Sequence, residues 1–363
     1  MTSAGNWNRE NTKPKNYNAD LSIKQAARIL VLGSRDDPTM VRVFEDETKL
    51  PDQTTIVGVG TKRDDFDWDA LRREPPTVIL VTTKGIKDLL AELLTTPEFA
   101  SSIQWVHAKS AGIEHCTSPA LAASTVVMSN AKGHFSSTLA EYGMMACSYF
   151  AKDLPRLLQQ QQDSNWEKYS ILELRGATMG IVGYGDIGRA TAKLAHAYGM
   201  KVIALKRRRV LDDDKDAYCE KIYCASQDPT ALNTVCAESD YIYVAAPLTP
   251  ETEGLIGKDQ LAVMKSNAVL INVGRGPVLD EKAVIDALTM GRIKGAALDV
   301  FEQEPLPADS PLWKLKNVLL SPHNMDQTDS FQHEATDFFL DENLPRFLRG
   351  LPLYNVVDKA AGY

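Results

Sequence analysis

The chain contains no run approaching the roughly 20 consecutive apolar residues that a bilayer-spanning helix needs, which excludes a helical membrane protein. Its beginning, Met1 to Asp20, is polar and Asn-rich. It has neither the apolar centre of a secretory signal nor the Arg-rich amphipathic pattern of a transit peptide. Cys-x-x-Cys pairs are absent too. The five cysteines (Cys116, Cys147, Cys219, Cys224 and Cys236) form an odd set without metal-type spacing. Free thiols in a reducing compartment, and hence a cytoplasmic location, are the expectation. The six histidines form no metal-ligand cluster, so no catalytic metal is expected. Positive charge is in deficit: 40 Lys and Arg face 48 Asp and Glu, a net charge of -8. That balance argues against a general nucleic-acid or anionic-membrane binder. No internal repeat or long low-complexity tract occurs.

What is present is ordinary globular material. Hydrophobic residues make up 44% and charged residues 24% of the 363 residues, which rules out wholesale disorder. At roughly 150 residues per domain the length suggests two domains. Residues 1–24 read as a flexible N-terminal extension. Short β-branched runs then alternate with helical patterns: Arg28–Gly33, Thr55–Val59, Val78–Val81, Ile103–His107 and Val126–Met128 as strands, with helix-like stretches such as Ile86–Leu94 between them. Strands separated by helices imply βαβ units and a parallel sheet. A long helical pattern runs from Ser137 to about Gln160. A second α/β series follows, with strands at Thr178–Val182, Lys201–Leu205, Lys221–Tyr223, Tyr241–Ala245, Ala268–Asn272, Gly295–Leu298 and Val318–Leu320. From Asp329 to Leu348 the pattern is helical again.

Gly183-Tyr184-Gly185-Asp186-Ile187-Gly188 matches Gly-x-Gly-x-x-Gly. Such a turn can serve only to pack a helix on a strand. Here it follows the apolar run Met179–Val182 and opens a helical pattern, Arg189–Tyr198, which is the context a dinucleotide fingerprint requires. The glycines allow the tight turn, the approach of a pyrophosphate, and close helix–strand contact, and the helix N-terminus attracts the phosphates. At the end of the next strand, an NAD site usually carries Asp or Glu. This chain has Lys206-Arg207-Arg208-Arg209. Clustered cations in an acidic protein suit the 2′-phosphate of NADP. NADP (NADPH) is therefore the expected cofactor, with NAD bound at lower affinity.

Three polar residues end late strands of this second series: Arg275 between two glycines, Glu304 before Pro305, and His323 after Pro322. In open α/β sheets ligands bind beyond the carboxyl ends of strands. Reduction of a 2-oxo acid needs a cation to hold the carboxylate and polarise the carbonyl, and an acid to protonate the forming hydroxyl. Arg275 suits the first role and His323 the second. A carboxylate such as Glu304 would orient the imidazole and favour its protonated form.

These segments together (Gly176 to Gly188, Asn272-Val273-Gly274-Arg275-Gly276, Asp299-Val300-Phe301 with Glu304-Pro305, and Ser321-Pro322-His323) resemble the D-isomer-specific 2-hydroxyacid dehydrogenases. The resemblance covers about residues 100 to 350. It implies an α/β fold of two Rossmann-like domains with parallel sheets, a flavodoxin-like substrate domain and an inserted dinucleotide-binding domain, with a cleft between them. The implied division is 25–133 with 325–363 for the substrate domain and 134–324 for the inserted domain. Arg275, Glu304 and His323 match the family's catalytic trio. Ser110, Ala111 and Gly112 resemble the loop whose backbone amides hold the substrate carboxylate. Pro247 and Thr249 sit where the family lines the cofactor, Asn272, Val273 and Asp299 beside the nicotinamide and its ribose, and Lys206 replaces the acidic residue of NAD-using members.

The resemblance further implies a homodimer and a small 2-oxo acid of the glyoxylate or hydroxypyruvate class. There are departures. Glu114 stands where Asp is usual, and Asn324-Met325-Asp326 replaces a small, glycine-containing stretch. Formate dehydrogenases of this superfamily carry Gln beside the histidine; Glu304 fits proton transfer instead. A D-hydroxyacid dehydrogenase for a bulkier acid is the alternative enzyme. A dinucleotide-dependent scaffold, like the C-terminal-binding-protein corepressors, is the alternative without turnover.

Overall fold

The computed structural model describes residues 22–44, 50–207, 216–328 and 330–359. Most of the N-terminal extension, and Arg208, lie outside the described residues. The chain divides into two compact units: residues 1–134 with 328–363, and residues 135–327.

In the first unit five strands form one parallel sheet: β1 (Ala27–Leu32), β2 (Thr54–Gly60), β3 (Val78–Val81), β4 (Trp105–Ala108) and β5 (Val127–Asn130), in the order β2-β1-β3-β4-β5. This is the flavodoxin-like arrangement. Strands β3 and β4 are buried along their whole length, which is why neither alternates polar with apolar residues and only His107 interrupts the apolar pattern. One face of the sheet carries Val106 and Ala108 into a core with Leu90, Leu93 and Phe99. The other carries Trp105 into a core with Met40, Phe339, Leu344 and Phe347. Burying a single large apolar side chain in such a core contributes roughly 1.5–3 kcal/mol.

The second unit holds a seven-stranded parallel sheet: β6 (Thr178–Val182), β7 (Lys201–Lys206), β8 (Lys221–Cys224), β9 (Tyr241–Val244), β10 (Val269–Asn272), β11 (Gly295–Leu298) and β12 (Val318–Leu320). The order β12-β11-β10-β9-β6-β7-β8 is the doubly wound pattern, and it reverses between β6 and β9. The sequence places strand ends within two residues of those observed. The exception in kind is the helical pattern from Ser137 to about Gln160. It folds as two helices, α1 (Ser136–Ala151) and α2 (Leu154–Gln162). Asp153 takes a left-handed conformation, φ 51°, and Pro155 stands in the first turn of α2, where it lacks the amide that would extend α1.

The C-terminal helical stretch begins at Phe331 and widens into a π turn over Phe338–Asn343. Pro345 follows at once. Its missing amide leaves a carbonyl of the preceding turn without its usual partner, which is a common cause of such widening.

Candidate active site

Arg275, Glu304 and His323 all belong to the second unit and follow the carboxyl ends of β10, β11 and β12 in turn. The β10 loop is shaped from within. Asn272 is fully buried; its Oδ1 accepts from the Gly274 amide at 3.0 Å and its Nδ2 donates to the Arg275 carbonyl at 3.1 Å. The side chain of Arg275 folds back, Nη1 donating to the Gly274 carbonyl at 2.8 Å. Gly276 lies directly on the β11 loop. A Cβ there would stand 1.8 Å from the Phe301 carbonyl carbon and 2.5 Å from the Glu302 amide nitrogen. The segment bearing Arg275 and the segment bearing Glu304 are therefore in contact through the glycine.

Glu304 and His323 form a pair, with Glu304 Oε2 2.7 Å from His323 Nδ1. Glu304 Oε1 accepts from the Phe301 amide at 3.0 Å, so each carboxylate oxygen has its own donor. That leaves Nε2 of His323 as the ring atom directed elsewhere. Both side chains are about a third exposed (34% and 35%), open enough to meet a small molecule. His323 itself has φ 53°, an uncommon conformation for a residue with a Cβ. Asp299 holds that turn on both sides. It accepts from the Ser321 hydroxyl and from the Asn324 amide at 3.1 Å. Asp299 is 2% exposed. Burial pushes its carboxyl above the usual range, against the hydrogen bonds and the nearby His323, which favour the ion. Thr138 on α1 donates to the Met325 carbonyl at 3.0 Å, fixing the stretch where glycine is more usual.

The glycine turn follows β6. Gly183 has φ 98°, and a Cβ on it would lie 2.6 Å from the Ala246 amide nitrogen. A Cβ on Gly188 would lie 2.5 Å from the Gly183 carbonyl oxygen, so this glycine lets helix α3 (Asp186–Ala197) sit on the turn. A Cβ on Gly185 would meet nothing within 4 Å. That open space lies over the N-terminus of α3, where free amides and the helix dipole favour an anion. These residues fit a dinucleotide pyrophosphate. Asp186 and Ile187 are half-buried in the first turn of α3. Tyr184 points inward: its ring is buried and its amide donates to the Leu205 carbonyl at 3.2 Å.

Lys206 ends β7 and Arg207 follows it. Arg207 Nη1 lies 3.8 Å from Glu251 Oε2, and that same oxygen accepts from the Thr249 hydroxyl at 2.7 Å. Thr249 is buried and Pro247 exposed, on the loop after β9; Val273 is buried beside Asn272. Among the described residues, no group of three or more His, Cys, Asp or Glu is placed to hold a metal ion.

Ser110, Ala111 and Gly112 lie in the first unit, after β4. Each carbonyl of this loop is engaged: Ser110 by the Ala131 amide at 3.1 Å, Ala111 by Asn130 Nδ2 at 2.7 Å, and Gly112 by the Ser110 hydroxyl at 2.7 Å. The amides of Ala111 and Gly112 donate to no acceptor among the described residues. Two amide donors of the loop thus remain for an anion to engage.

A family profile described as D-isomer specific 2-hydroxyacid dehydrogenase, NAD binding domain, matches residues 144–324. The glyoxylate reductase of Korarchaeum cryptofilum is 32% identical over 316 residues, covering 83% of this chain and 92% of that protein. This chain belongs to the D-isomer specific 2-hydroxyacid dehydrogenase family. The D-3-phosphoglycerate dehydrogenase of Methanocaldococcus jannaschii is 33% identical over 322 residues, 87% of this chain, and the chain spans 58% of that relative's length. Among solved structures, the NADPH-dependent glyoxylate/hydroxypyruvate reductase of Sinorhizobium meliloti in complex with NADP and sulfate matches with a TM-score of 0.72 at 25% identity, covering 93% of this chain and 100% of that one.

Within this dehydrogenase the sequence leaves the roles of four residues unmarked. Asn130 holds the donor loop, Ser321 and Asn324 bind Asp299, and Gly276 brings two motifs together. Only the Gly-Arg-Gly pattern carried a signal for the last. The others act across crossovers that spacing alone does not reveal.

Proposed function

We propose that this dehydrogenase family member is an NADPH-preferring reductase that converts a small 2-oxo acid of the glyoxylate or hydroxypyruvate class to the D-2-hydroxy acid. The observation that carries the reading is the 2.7 Å pairing of Glu304 with His323 Nδ1, beside the loop of Arg275. Arg275 holds the substrate carboxylate and polarises its carbonyl. His323, fixed in orientation by Glu304, delivers a proton from Nε2 to the carbonyl oxygen. The donor face of the Ser110–Gly112 loop grips the carboxylate. A nicotinamide cofactor, when bound, supplies the hydride. The turn from Gly183 to Gly188 would hold its pyrophosphate, with Thr249, Pro247, Asn272, Val273 and Asp299 along the rest of the molecule. Lys206, Arg207 and Arg208 would take the 2′-phosphate. The relatives named as glyoxylate or glyoxylate/hydroxypyruvate reductases support this substrate class. A second copy of the chain is the proposed partner.

Steady-state turnover with NADPH, NADH and a panel of 2-oxo acids tests the reading. His323→Ala lowers kcat by roughly 10²–10⁴-fold. Arg207→Ala raises the NADPH KM about 10- to 100-fold, the worth of one charge-assisted phosphate contact, and leaves the NADH KM nearly unchanged. Near wild-type reduction by His323→Ala would remove the proton-donor role. Equal effects on the two cofactors would remove the NADP preference.

A further inference from the structure

The donor loop is preceded by a buried cation. Lys109 follows β4 directly and is 3% exposed, an unusual place for an ammonium. Its backbone amide donates to the Val81 carbonyl at 2.9 Å, which continues the β3–β4 pairing. Its Nζ reaches across the carboxyl edge of the sheet to the turn after β1. There it lies 3.3 Å from Asp37 Oδ2 and donates to the Thr39 hydroxyl. Asp37 is itself occupied in shaping that turn: its Oδ1 accepts from the Thr39 amide at 2.9 Å and the Thr39 hydroxyl at 2.6 Å. Burial alone would raise the Asp37 carboxyl, yet the Thr39 bonds and the charge of Lys109 hold it below its ordinary value. Burial pulls Lys109 down, and Asp37 opposes that pull.

A buried ion pair of this kind contributes little net stability, because desolvation cancels most of the attraction. It does fix geometry, since breaking it strands a charge. Here the geometry fixed is that of the peptide immediately before Ser110. The far end of the loop is held by Asn130 and Ala131 on the neighbouring strand's exit. The loop is therefore anchored on one side to the turn after β1 and on the other to the end of β5.

We propose that Lys109, through Asp37 and Thr39, is a positioning residue for the substrate carboxylate, holding the Ala111 and Gly112 amides at the spacing an anion needs. This rests on the reading of the Ser110–Gly112 loop as the carboxylate site. Lys109 touches no reacting atom. Its action is on ground-state binding of the acid, so it appears in the KM of the acid and not in cofactor affinity.

The test uses the full chain with NADPH, glyoxylate as substrate and oxalate as a competitive dianion. In Lys109→Met the glyoxylate KM and the oxalate inhibition constant rise about tenfold, as a small misplacement of binding groups produces. The kcat and the NADPH dissociation constant, measured by fluorescence titration, stay within about twofold. Asp37→Asn gives a smaller rise in the same direction and reads the tether from its other end if Lys109→Met fails to fold. The double variant is no worse than Lys109→Met, because both changes break one link. A folded Lys109→Met with unchanged glyoxylate KM and oxalate inhibition overturns the proposal. So does a uniform loss in kcat, KM and NADPH affinity, which is the mark of general destabilisation. Ala111→Pro, which deletes one loop amide, separates the two levels. If it raises the oxalate constant while Lys109→Met does not, the loop reading stands and the tether falls. If it leaves that constant unchanged, both fall.

Discussion

A methyl group added to Gly276 would have to displace the peptide between Phe301 and Glu302. The contact is with backbone, so no side-chain rotation relieves it. Gly276→Ala must therefore move the Arg275 loop away from the segment that ends in Glu304. The expected outcome is a loss of at least about 10²-fold in kcat/KM, since misplacement of catalytic groups by about 1 Å costs that much. Cofactor affinity should change far less, because the glycine turn after β6 is untouched. Steady-state kinetics with a parallel NADPH titration checks this, and a wild-type kcat/KM would show that the two loops tolerate separation. At this scale Arg275, Glu304 and His323 were legible because each polar residue stands just after an apolar run. Asp299 was legible only by resemblance. Its bonds to Ser321 and Asn324 join two strand ends about 20 residues apart in sequence, and no local pattern announces such a contact.

The strand β4 shows what a fully buried element hides from sequence reading. Its apolar run predicts a strand, but the run also contains His107, which is fully buried between Trp105 and Phe339. Its Nδ1 is 2.8 Å from the Ser129 hydroxyl, which also accepts from the Trp105 indole. Burial, with a smaller contribution from His134, holds the imidazole down to about 3. The folded protein thus keeps His107 neutral where an unfolded chain would begin to protonate it near pH 6.5. Stability is unaffected above that value and falls as the pH drops through it, by about 2 kcal/mol at pH 5. Denaturant unfolding at pH 7.5 and 5 should show this loss, and His107→Phe should abolish about that much of the pH dependence. An unchanged slope in the variant would assign the acid sensitivity to other groups. The helix break at Asp153 was hidden for another reason. The apolar spacing of α1 carries on into α2, so periodicity alone reads one helix. Asp153 and Pro155 were the local evidence against it.

For the whole molecule, alternation of strands and helices in two series was enough to anticipate two parallel sheets. Strand order was not read from the sequence, because pairing across crossovers leaves no periodic trace; the family resemblance supplied only the flavodoxin-like and Rossmann-like types. Surface apolar residues were not foreseen at all. In the second unit, α2 and the segment after it expose Leu157, Leu158, Trp166, Ile171 and Leu172, with Trp166 94% exposed. Such a concentration exceeds the scattered apolar residues of an ordinary monomer surface. It fits the proposed second copy of the chain as partner. Light scattering after size exclusion should report a dimer at micromolar concentration. The pair Leu158→Asp and Trp166→Asp should yield a folded monomer. A dimer that survives both substitutions would place the association elsewhere.

As the proposed carboxylate site, the loop of Ser110, Ala111 and Gly112 is also a filter. Each of its three carbonyls already accepts a bond inside the protein, while the Ala111 and Gly112 amides donate to no acceptor among the described residues, so it offers donors more readily than acceptors. A carboxylate presents only acceptors and is matched everywhere. The corresponding carboxamide would turn an N–H toward a protein N–H, leaving half-buried donors unpaired at a cost of up to about 1–3 kcal/mol. An ammonium group would fare worse. On that reading the loop favours acceptors over donors, and it would admit the acid form of a metabolite in preference to its amide.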